Sequence, residues 1–177
     1  MATQYACDPV PPYKNVLCSS NELARVRSIA LVKATSVVSD PTSDAVWAAL
    51  EASGDAVIMR EIRGLYDGGA VVEAPGFGSQ LVKIQNMNHT LTLTDPKTID
   101  NIAFYNAMKR NSYQYRLWFL TETQVWETFG VPTFAPTMPV PEDISQEVYI
   151  VTAIKWQYED LPTPYDKPTS YLDTIAA

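Results

Sequence analysis

Several separate segments of this chain divide into two faces with a period of two. Threonine alternates with leucine towards the end of 81–94, and residues 115–120 and 148–158 have odd-numbered and even-numbered positions that form separate faces. Such a period is typical of strands that bury one face. Two further apolar segments, 25–35 and 56–62, have the composition of strands. The chain is therefore predicted to be rich in β-structure, with 81–94 forming one long strand or a bent pair.

The last predicted strand supplies the main face of the predicted core. Its even-numbered positions are expected to pack against the odd-numbered positions of 115–120. The expected core members are Val148, Ile150, Ile154, Trp156, Leu117 and Phe119. Truncation of a buried tryptophan to alanine costs about 3–5 kcal/mol, so the core is expected to depend on Trp156.

Two short helices are predicted between the strands. The first has Ser43 or Asp44 as its N-cap and ends at Gly54. The second begins at Asp95-Pro96, where proline suits the first helical turn. Its predicted apolar face is formed by Ile99, Ile102, Ala103 and Met108, with Phe104 and Tyr105 alongside.

Prolines concentrate in three segments outside the alternating pattern. Residues 130–143 hold four prolines and are predicted as an extended loop, because proline cannot donate to a sheet ladder. Residues 1–20 and 161–177 are predicted as extended arms around one domain at 21–160. Such arms are normally mobile unless something pins them, so we expect them to lie on neighbouring subunits. The predicted fold class is α+β and β-rich: a mostly antiparallel sandwich or barrel-like sheet with two short helices and two arms.

Composition narrows the classes of function. The 177 residues carry a net charge of −7 and are 46% hydrophobic, with 11% aromatic residues. That much apolar and aromatic material excludes a disordered acidic chain. The negative balance excludes a sequence-independent nucleic-acid binder, which needs a basic face to neutralise phosphates. No run of about 18 apolar residues occurs, so no membrane-spanning helix is predicted.

The N-terminal region carries the two cysteines, Cys7 and Cys18. The first residues show neither a basic region nor an apolar core of a signal peptide, so the chain is expected to be made and kept in a cytoplasm. A disulfide between the two is geometrically feasible, but a reducing compartment favours free thiols. A zinc site would need two more soft ligands.

Candidate catalytic groups are few. His89 is the sole histidine and lies within a strand pattern, which predicts a hydrogen-bonded sheet residue. A carboxylate pair for acid–base work would have to come from Asp67, Glu73 and Glu122, whose spacing does not require it. The glycines at 66–69 and 75–78 lack the GK[ST] ending of a phosphate loop and predict turns. The sequence therefore predicts no enzyme, with no catalytic, cofactor-binding or metal-binding residues and no cofactor.

Six aromatic side chains cluster around the two late strands. They are Trp118, Trp126, Trp156, Tyr115, Tyr149 and Tyr158. Aromatic residues of this kind pack in cores and are enriched in subunit interfaces. On one exposed face they would instead form a platform for carbohydrate. Packing is the preferred interpretation.

A set of turn and strand-cap motifs spans residues 20–170. They are Asp40-Pro41, Gly64-Leu65-Tyr66-Asp67-Gly68-Gly69, Glu73-Ala74-Pro75-Gly76-Phe77-Gly78, His89-Thr90-Leu91-Thr92-Leu93-Thr94-Asp95, Thr121-Glu122-Thr123 and Pro162-Thr163-Pro164-Tyr165. Together they resemble small virion structural proteins encoded by tailed phages and prophages of Bacteroidetes-type hosts. The resemblance implies a self-assembling virion part without an enzymatic site.

The function expected from these observations is a homo-oligomeric tail-tube subunit, assembled in the host cytoplasm and located in the virion. Its partners would be other virion proteins and genomic DNA as a transient, non-specific passenger, with no membrane. Carboxylates that face a lumen repel phosphates, so an acidic bore lets DNA pass. Candidates for that bore are Asp55, Glu61, Asp67 and Glu73. The alternatives are a capsid decoration protein and a carbohydrate-binding module of a receptor-binding fibre.

Overall fold

The computed structural model describes residues 25–60, 62–76, 78, 82–96, 98–140, 142 and 147–172. The strands are β1 (Ser28–Lys33), β2 (Ala56–Met59), β3 (Arg63–Pro75), β4 (Val82–Asp95), β5 (Tyr115–Leu120), β6 (Gln124–Glu127), β7 (Thr133–Thr137), β8 (Ile150–Tyr158) and β9 (Thr163–Asp166). The helices are α1 (Asp44–Ala52) and α2 (Thr98–Asn111), which is followed by a 3-10 turn at Ser112–Gln114. The predicted N-terminal arm, with Cys7 and Cys18, lies outside the described residues.

Two antiparallel sheets form the body of the molecule. One has five strands in the order β2-β1-β5-β6-β9, and the other has four in the order β3-β4-β8-β7. Every pairing between these strands is antiparallel. The predicted fold class, a β-rich antiparallel sandwich with two helices, is confirmed.

The five-stranded sheet is the middle layer, and both of its faces are buried. Strands β1 and β5 are therefore apolar at consecutive positions rather than at alternate ones, as expected for a strand covered on both sides. One face packs against the four-stranded sheet. The other packs against α1, whose Trp47 is fully buried edge-on to Trp118 at a ring-centroid distance of 5.5 Å.

The core between the two sheets contains the residues that the alternation predicted. Leu117 and Phe119 belong to the same buried cluster as Ile150, Ile154 and Trp156. Trp156 is only 4% exposed. Val148 was also expected in this set, but it precedes β8 and is half-buried.

The four-stranded sheet faces the core on one side only. Leu91 and Leu93 of β4 are fully buried, whereas the threonines between them, Thr90 and Thr92, are half-exposed. No described element covers this outer face of the sheet. The strict alternation in the sequence of β4 is the direct result of this one-sided burial.

Helix α2 is rotated relative to its predicted orientation. Tyr105 and Met108 are buried, while Ile102 and Ala103, both predicted for the apolar face, are exposed. The reason is a polar anchor at the end of β4. The buried Asp95 carboxylate accepts hydrogen bonds from Asn101 Nδ2 at 2.8 Å and from the Tyr105 hydroxyl at 3.0 Å.

This anchor sets which helix face turns inward. An unpaired buried carboxylate is far more costly than an exposed isoleucine, so its partners decide the rotation. Burial, and the negative charge of Asp95 next, raise the pKa of Tyr105, which keeps its hydroxyl a donor. Ile99 was also predicted for the apolar face, but its side chain lies outside the described part of the chain.

Two segments predicted to lie outside the sheets contribute strands. Within the Pro-rich stretch 130–143, residues 133–137 form β7, which pairs with β8 alone and ends its sheet. An edge position tolerates Pro136 because one side of the strand needs no donor. Within the predicted C-terminal arm, residues 163–166 form β9 on the edge of β6.

The described part of the predicted C-terminal arm, as far as residue 172, thus packs on its own chain. Leu172 is buried in the cluster under α1. The Asp44 carboxylate at the start of α1 accepts hydrogen bonds from the backbone N–H groups of Ser170 and Tyr171. The segment was predicted to lie on a neighbouring subunit. It folds back instead because α1 alone does not cover the second face of the middle sheet. Residues 173–177 are not described.

An ion pair secures this C-terminal segment. Arg60 donates to both carboxylate oxygens of Glu51, at 3.0 and 2.9 Å, and its guanidinium lies 5.0 Å from the centre of the Tyr171 ring. The Tyr171 hydroxyl also donates to Glu51. The hydrogen bonds from Arg60, and secondarily the one from Tyr171, hold the pKa of Glu51 below its ordinary value.

We predict that Glu51→Gln lowers the free energy of unfolding at pH 7 by about 1–2 kcal/mol. Because the folded-state pKa of Glu51 is lowered, its contribution is present above about pH 4.5, the ordinary glutamate value, and is lost as the pH falls through the lower folded value. Urea unfolding at pH 7 and pH 3 checks this. The difference in the free energy of unfolding between wild type and variant should be smaller at pH 3 than at pH 7. A difference that stays constant would contradict the stabilising role of the ionised Glu51 carboxylate.

Candidate functional site

One sheet edge differs from the other three. β2 has four residues, β9 has four and contains Pro164, and β7 has five and contains Pro136. Short strands and prolines protect an edge from pairing with another chain. β3 has 13 residues, and its only proline is the last residue, Pro75.

The outer side of β3 is largely unpaired. A single bridge joins Gly64 to Val26, where the Gly64 N–H donates to the Val26 carbonyl at 3.0 Å. No described strand pairs with this side of residues 65–75, which we call the open edge. A strand of this length presents a row of free backbone donors and acceptors.

The far end of the open edge projects beyond the sheet. Strand β8 pairs with β4 only as far as Met87, whereas β3 stays paired with β4 down to Val82. Residues 72–75 and 82–86 therefore form a two-stranded ribbon, which extends about 13 Å past the end of β8. At its base, Val71 is 46% exposed. Two strands alone are only marginally stable in water, so a ribbon of this kind benefits from a partner.

A bulge replaces the turn predicted at 66–69. β3 continues through Gly68 and Gly69, and its register with β4 shifts between Asp67 and Ala70. Gly69 has a φ of +96°, and a Cβ there would lie 2.8 Å from the Asn88 carbonyl oxygen and 3.2 Å from His89 Nδ1. The glycine pair therefore allows the backbone of β3 to approach β4 closely, and it does not reverse the chain.

Behind the bulge, three rings stack at the base of the open edge. Tyr66, His89 and Trp156 are within 13° of parallel, with centroids 5.3–6.1 Å apart. The Tyr66 hydroxyl lies 2.8 Å from His89 Nδ1. The prediction of a hydrogen-bonded sheet histidine is confirmed, and its partner ties β3 to β4 within the core.

Tyr66 remains a neutral phenol in this contact. Burial, and then the negative charge of Asp67, raise the pKa of Tyr66 to about 12. Its hydroxyl and His89 Nδ1 share one hydrogen bond, and the imidazole tautomer sets which of the two donates. Nε2 is buried and has no hydrogen-bond partner among the described residues. The pair acts as a structural joint.

An apolar pocket of about 210 Å³ opens between the two sheets at the start of the open edge. Val26, Tyr66, Phe119 and Trp126 line it, and Leu65, which is 71% exposed, lies at its rim. The rings of Phe119 and Trp126 stack at 6.0 Å, and Tyr66 lies 5.1 Å from Phe119. An apolar pocket beside a free strand edge is the arrangement that captures an extended segment with one apolar side chain.

A larger cleft of about 700 Å³ lies elsewhere on the four-stranded sheet, where β4 and β8 run side by side. Asn88, Thr133, Lys155 and Gln157 are among its lining residues, and Gln157 Nε2 donates to Asn88 Oδ1 at 2.7 Å. Amide, hydroxyl and ammonium groups of this kind suit a polar ligand. Its open, exposed walls hold no strongly positioned group.

The acidic residues named from the sequence occupy different parts of the molecule. Asp67 and Glu73 are exposed on β3. Asp55 follows α1 and pairs with Lys33 Nζ at 3.0 Å, which lowers its pKa. Glu122 is paired with arginines, at 2.9 Å from Arg27 and 3.6 Å from Arg25. Glu61 lies outside the described residues.

The six aromatic side chains do not share an exposed face. Trp118 and Trp156 are buried on opposite sides of the middle sheet. Trp126, Tyr115 and Tyr158 pack against the core between the sheets. Only Tyr149 is open to solvent, where it donates to Glu147 at 2.9 Å. Packing is therefore the role that the structure gives this cluster.

Within the described ranges, no three histidine, cysteine, aspartate or glutamate side chains converge on a common point where they could hold a metal ion. Over the same ranges, neither helix has the length and apolar character to cross a membrane.

Comparison with known proteins identifies no relative: no family model matches this chain, and neither a curated protein nor a solved structure matches it. The candidate site therefore depends on the geometry of β3 alone. Sequence reasoning missed it because the glycine pair suggested a turn. The signal for a continuous strand was the apolar pair Val71-Val72 directly after the glycines.

We predict that Tyr66→Phe lowers the free energy of unfolding by about 1–3 kcal/mol, because it leaves buried His89 Nδ1 without its hydrogen-bond partner. Tyr165→Phe is the matched control, since that hydroxyl bonds Glu127 near the surface at 3.0 Å and should cost less. Urea unfolding at pH 7 measures both. Equal losses of unfolding free energy would show that the Tyr66–His89 hydrogen bond stabilises the fold no more than the one between Tyr165 and Glu127.

Proposed function

We propose that this protein is a non-enzymatic, self-assembling structural subunit of a phage virion and that it forms the tail tube. The observation that carries the proposal is the open edge of β3 with its projecting ribbon. Three sheet edges are short or blunted by proline, while the fourth, at 13 residues, is long and free. A soluble monomer gains nothing from such an edge and risks aggregation, whereas a subunit uses it to pair with a neighbour.

The composition of the open edge also fits pairing. Leu65 and Val71 are exposed apolar side chains on β3, 71% and 46% exposed. Pairing with a neighbour would bury both and would satisfy the free backbone groups between them. The resemblance of the motifs to small virion proteins of tailed phages points to the same class of assembly.

Charge favours a tube over capsid decoration within that class. The chain has a net charge of −7, and Asp67 and Glu73 are exposed on the strand proposed to join subunits. Stacked rings would repeat these carboxylates, and a surface of that sign repels DNA phosphates so that the passenger is not held. Asp55 is less suited to this role because Lys33 already pairs with it.

We predict that Val71→Lys raises the concentration at which the protein assembles at least tenfold, because a lysine on an edge strand opposes burial of that edge. Val37→Lys is the control, since Val37 is also exposed but lies in the loop between β1 and α1. Mass photometry and light scattering across a dilution series measure assembly. If both variants assemble at the same concentration and keep the wild-type melting temperature, β3 does not take part in the interface.

Electron micrographs of the purified protein distinguish the members of this class. A tail-tube subunit is expected to give hollow rods or stacked rings. Compact trimers, or monomers that bind only to preformed capsids, would reject the tube and favour decoration.

A carbohydrate-binding module is the alternative, and the polar cleft at Lys155 and Gln157 is the observation that favours it. A stable monomer that binds glycans, and loses that binding on Gln157→Ala, would replace the assembly proposal.

A further inference from the structure

The pocket at the start of the open edge lies beside a residue pair at which an antiparallel strand pairing begins. The bridge between Val26 and Gly64 begins an antiparallel pairing on the outer side of β3, with an Ile62 N–H bond to the Arg27 carbonyl at 3.3 Å beside it. The described chain starts one residue earlier, at Arg25. Among the described residues, none continues this pairing along residues 65–75.

The chain's own preceding residues suit this continuation poorly. A Cβ at Gly64 would lie 2.8 Å from Val26 Cβ, so Val26 and Gly64 share the inward face. Strand alternation would then turn Ala24 and Glu22 inward as well. A methyl group leaves an apolar pocket of about 210 Å³ largely empty, and a buried glutamate without a partner is costly.

We propose that the pocket and the open edge receive the N-terminal segment of a neighbouring copy, with Leu17 inserted in the pocket. Val16, Leu17 and Cys18 form an apolar run within the first 20 residues, and Leu17 is the one leucine there. Leu17 pointing inward places Cys18 outward, next to Leu65 on the neighbouring β3. This proposal rests on the proposed self-assembly and names the contact through which it occurs.

The length of the segment limits how the two copies can meet. The eight residue steps from Arg25 back to Leu17 span up to about 28 Å when extended, so the pocket that receives Leu17 lies within that distance of Arg25 of the donating copy. In each copy the segment leaves the fold beside the pocket, because Val26 is both the bridge residue and a lining residue. Each segment leaves beside the pocket of its own copy and fills the pocket of the following copy. Contacts of this kind join the copies in a head-to-tail series, which closes into a ring when the rotation between successive copies permits it.

Disulfide trapping in the full-length chain tests the contact. Cys7 and Cys18 are the only cysteines, so Leu65→Cys adds a single new thiol at the rim of the pocket. Neighbouring strands bring Cβ atoms close enough for a disulfide. Mild oxidation of the assembled protein should give intermolecular covalent oligomers on a non-reducing gel. Cys18→Ser should abolish them, whereas Cys7→Ser should preserve them.

Two controls set the background. The unsubstituted chain reports disulfides between native cysteines, and Leu161→Cys places a thiol at an exposed leucine before β9, away from the pocket. Both should give at least fivefold less covalent oligomer than Leu65→Cys.

The remaining outcomes overturn the proposal in distinguishable ways. A disulfide formed within one chain would show that the segment pairs with its own β3. An assembly that forms normally without the Cys18 cross-link would reject this contact and leave the proposed function standing. A chain that remains monomeric at all concentrations would reject both.

Discussion

Burial of both faces of the five-stranded sheet is the constraint on which the rest of the structure depends. Strands β1 and β5 are apolar at consecutive positions, so each face needs a cover. The four-stranded sheet covers one face, and α1 covers part of the other. Leu172 and the adjacent Tyr171 cover the remainder, which explains why the C-terminal segment folds back onto its own chain, where hydrogen bonds to Asp44 and Glu51 hold it.

The same layering leaves β3 at the periphery. The four-stranded sheet is the outer layer, so its outer face is polar and β3, one of its two edges, has no further layer to contact. The body of the fold gains stability from the core between the sheets, which ends near the stack of Tyr66, His89 and Trp156. Beyond that stack, the open edge and the ribbon add surface without adding core. This is the physical basis for the proposal that they contact other molecules.

Two buried polar joints hold the peripheral elements in place. Asp95 fixes α2 through Asn101 and Tyr105, and Tyr66 fixes β3 through His89. In both, a tyrosine hydroxyl remains protonated because burial raises its pKa. Each joint satisfies a group that would be costly if buried alone, so each defines a single orientation for its element.

The sequence by itself determined the elements whose pattern arises from local burial. The alternation in β4 and β8 predicted two strands and part of the shared core, because one-sided burial repeats every two residues. The apolar residues of β5 predicted a third strand. Only the tertiary structure decided features that depend on distant partners. The glycine pair after Tyr66 forms a bulge because Asn88 and His89 lie against it. Helix α2 turns Ile102 outward because the buried carboxylate of Asp95 takes its hydrogen bonds from Asn101 and Tyr105, and the apolar pattern of the helix does not encode that polar contact.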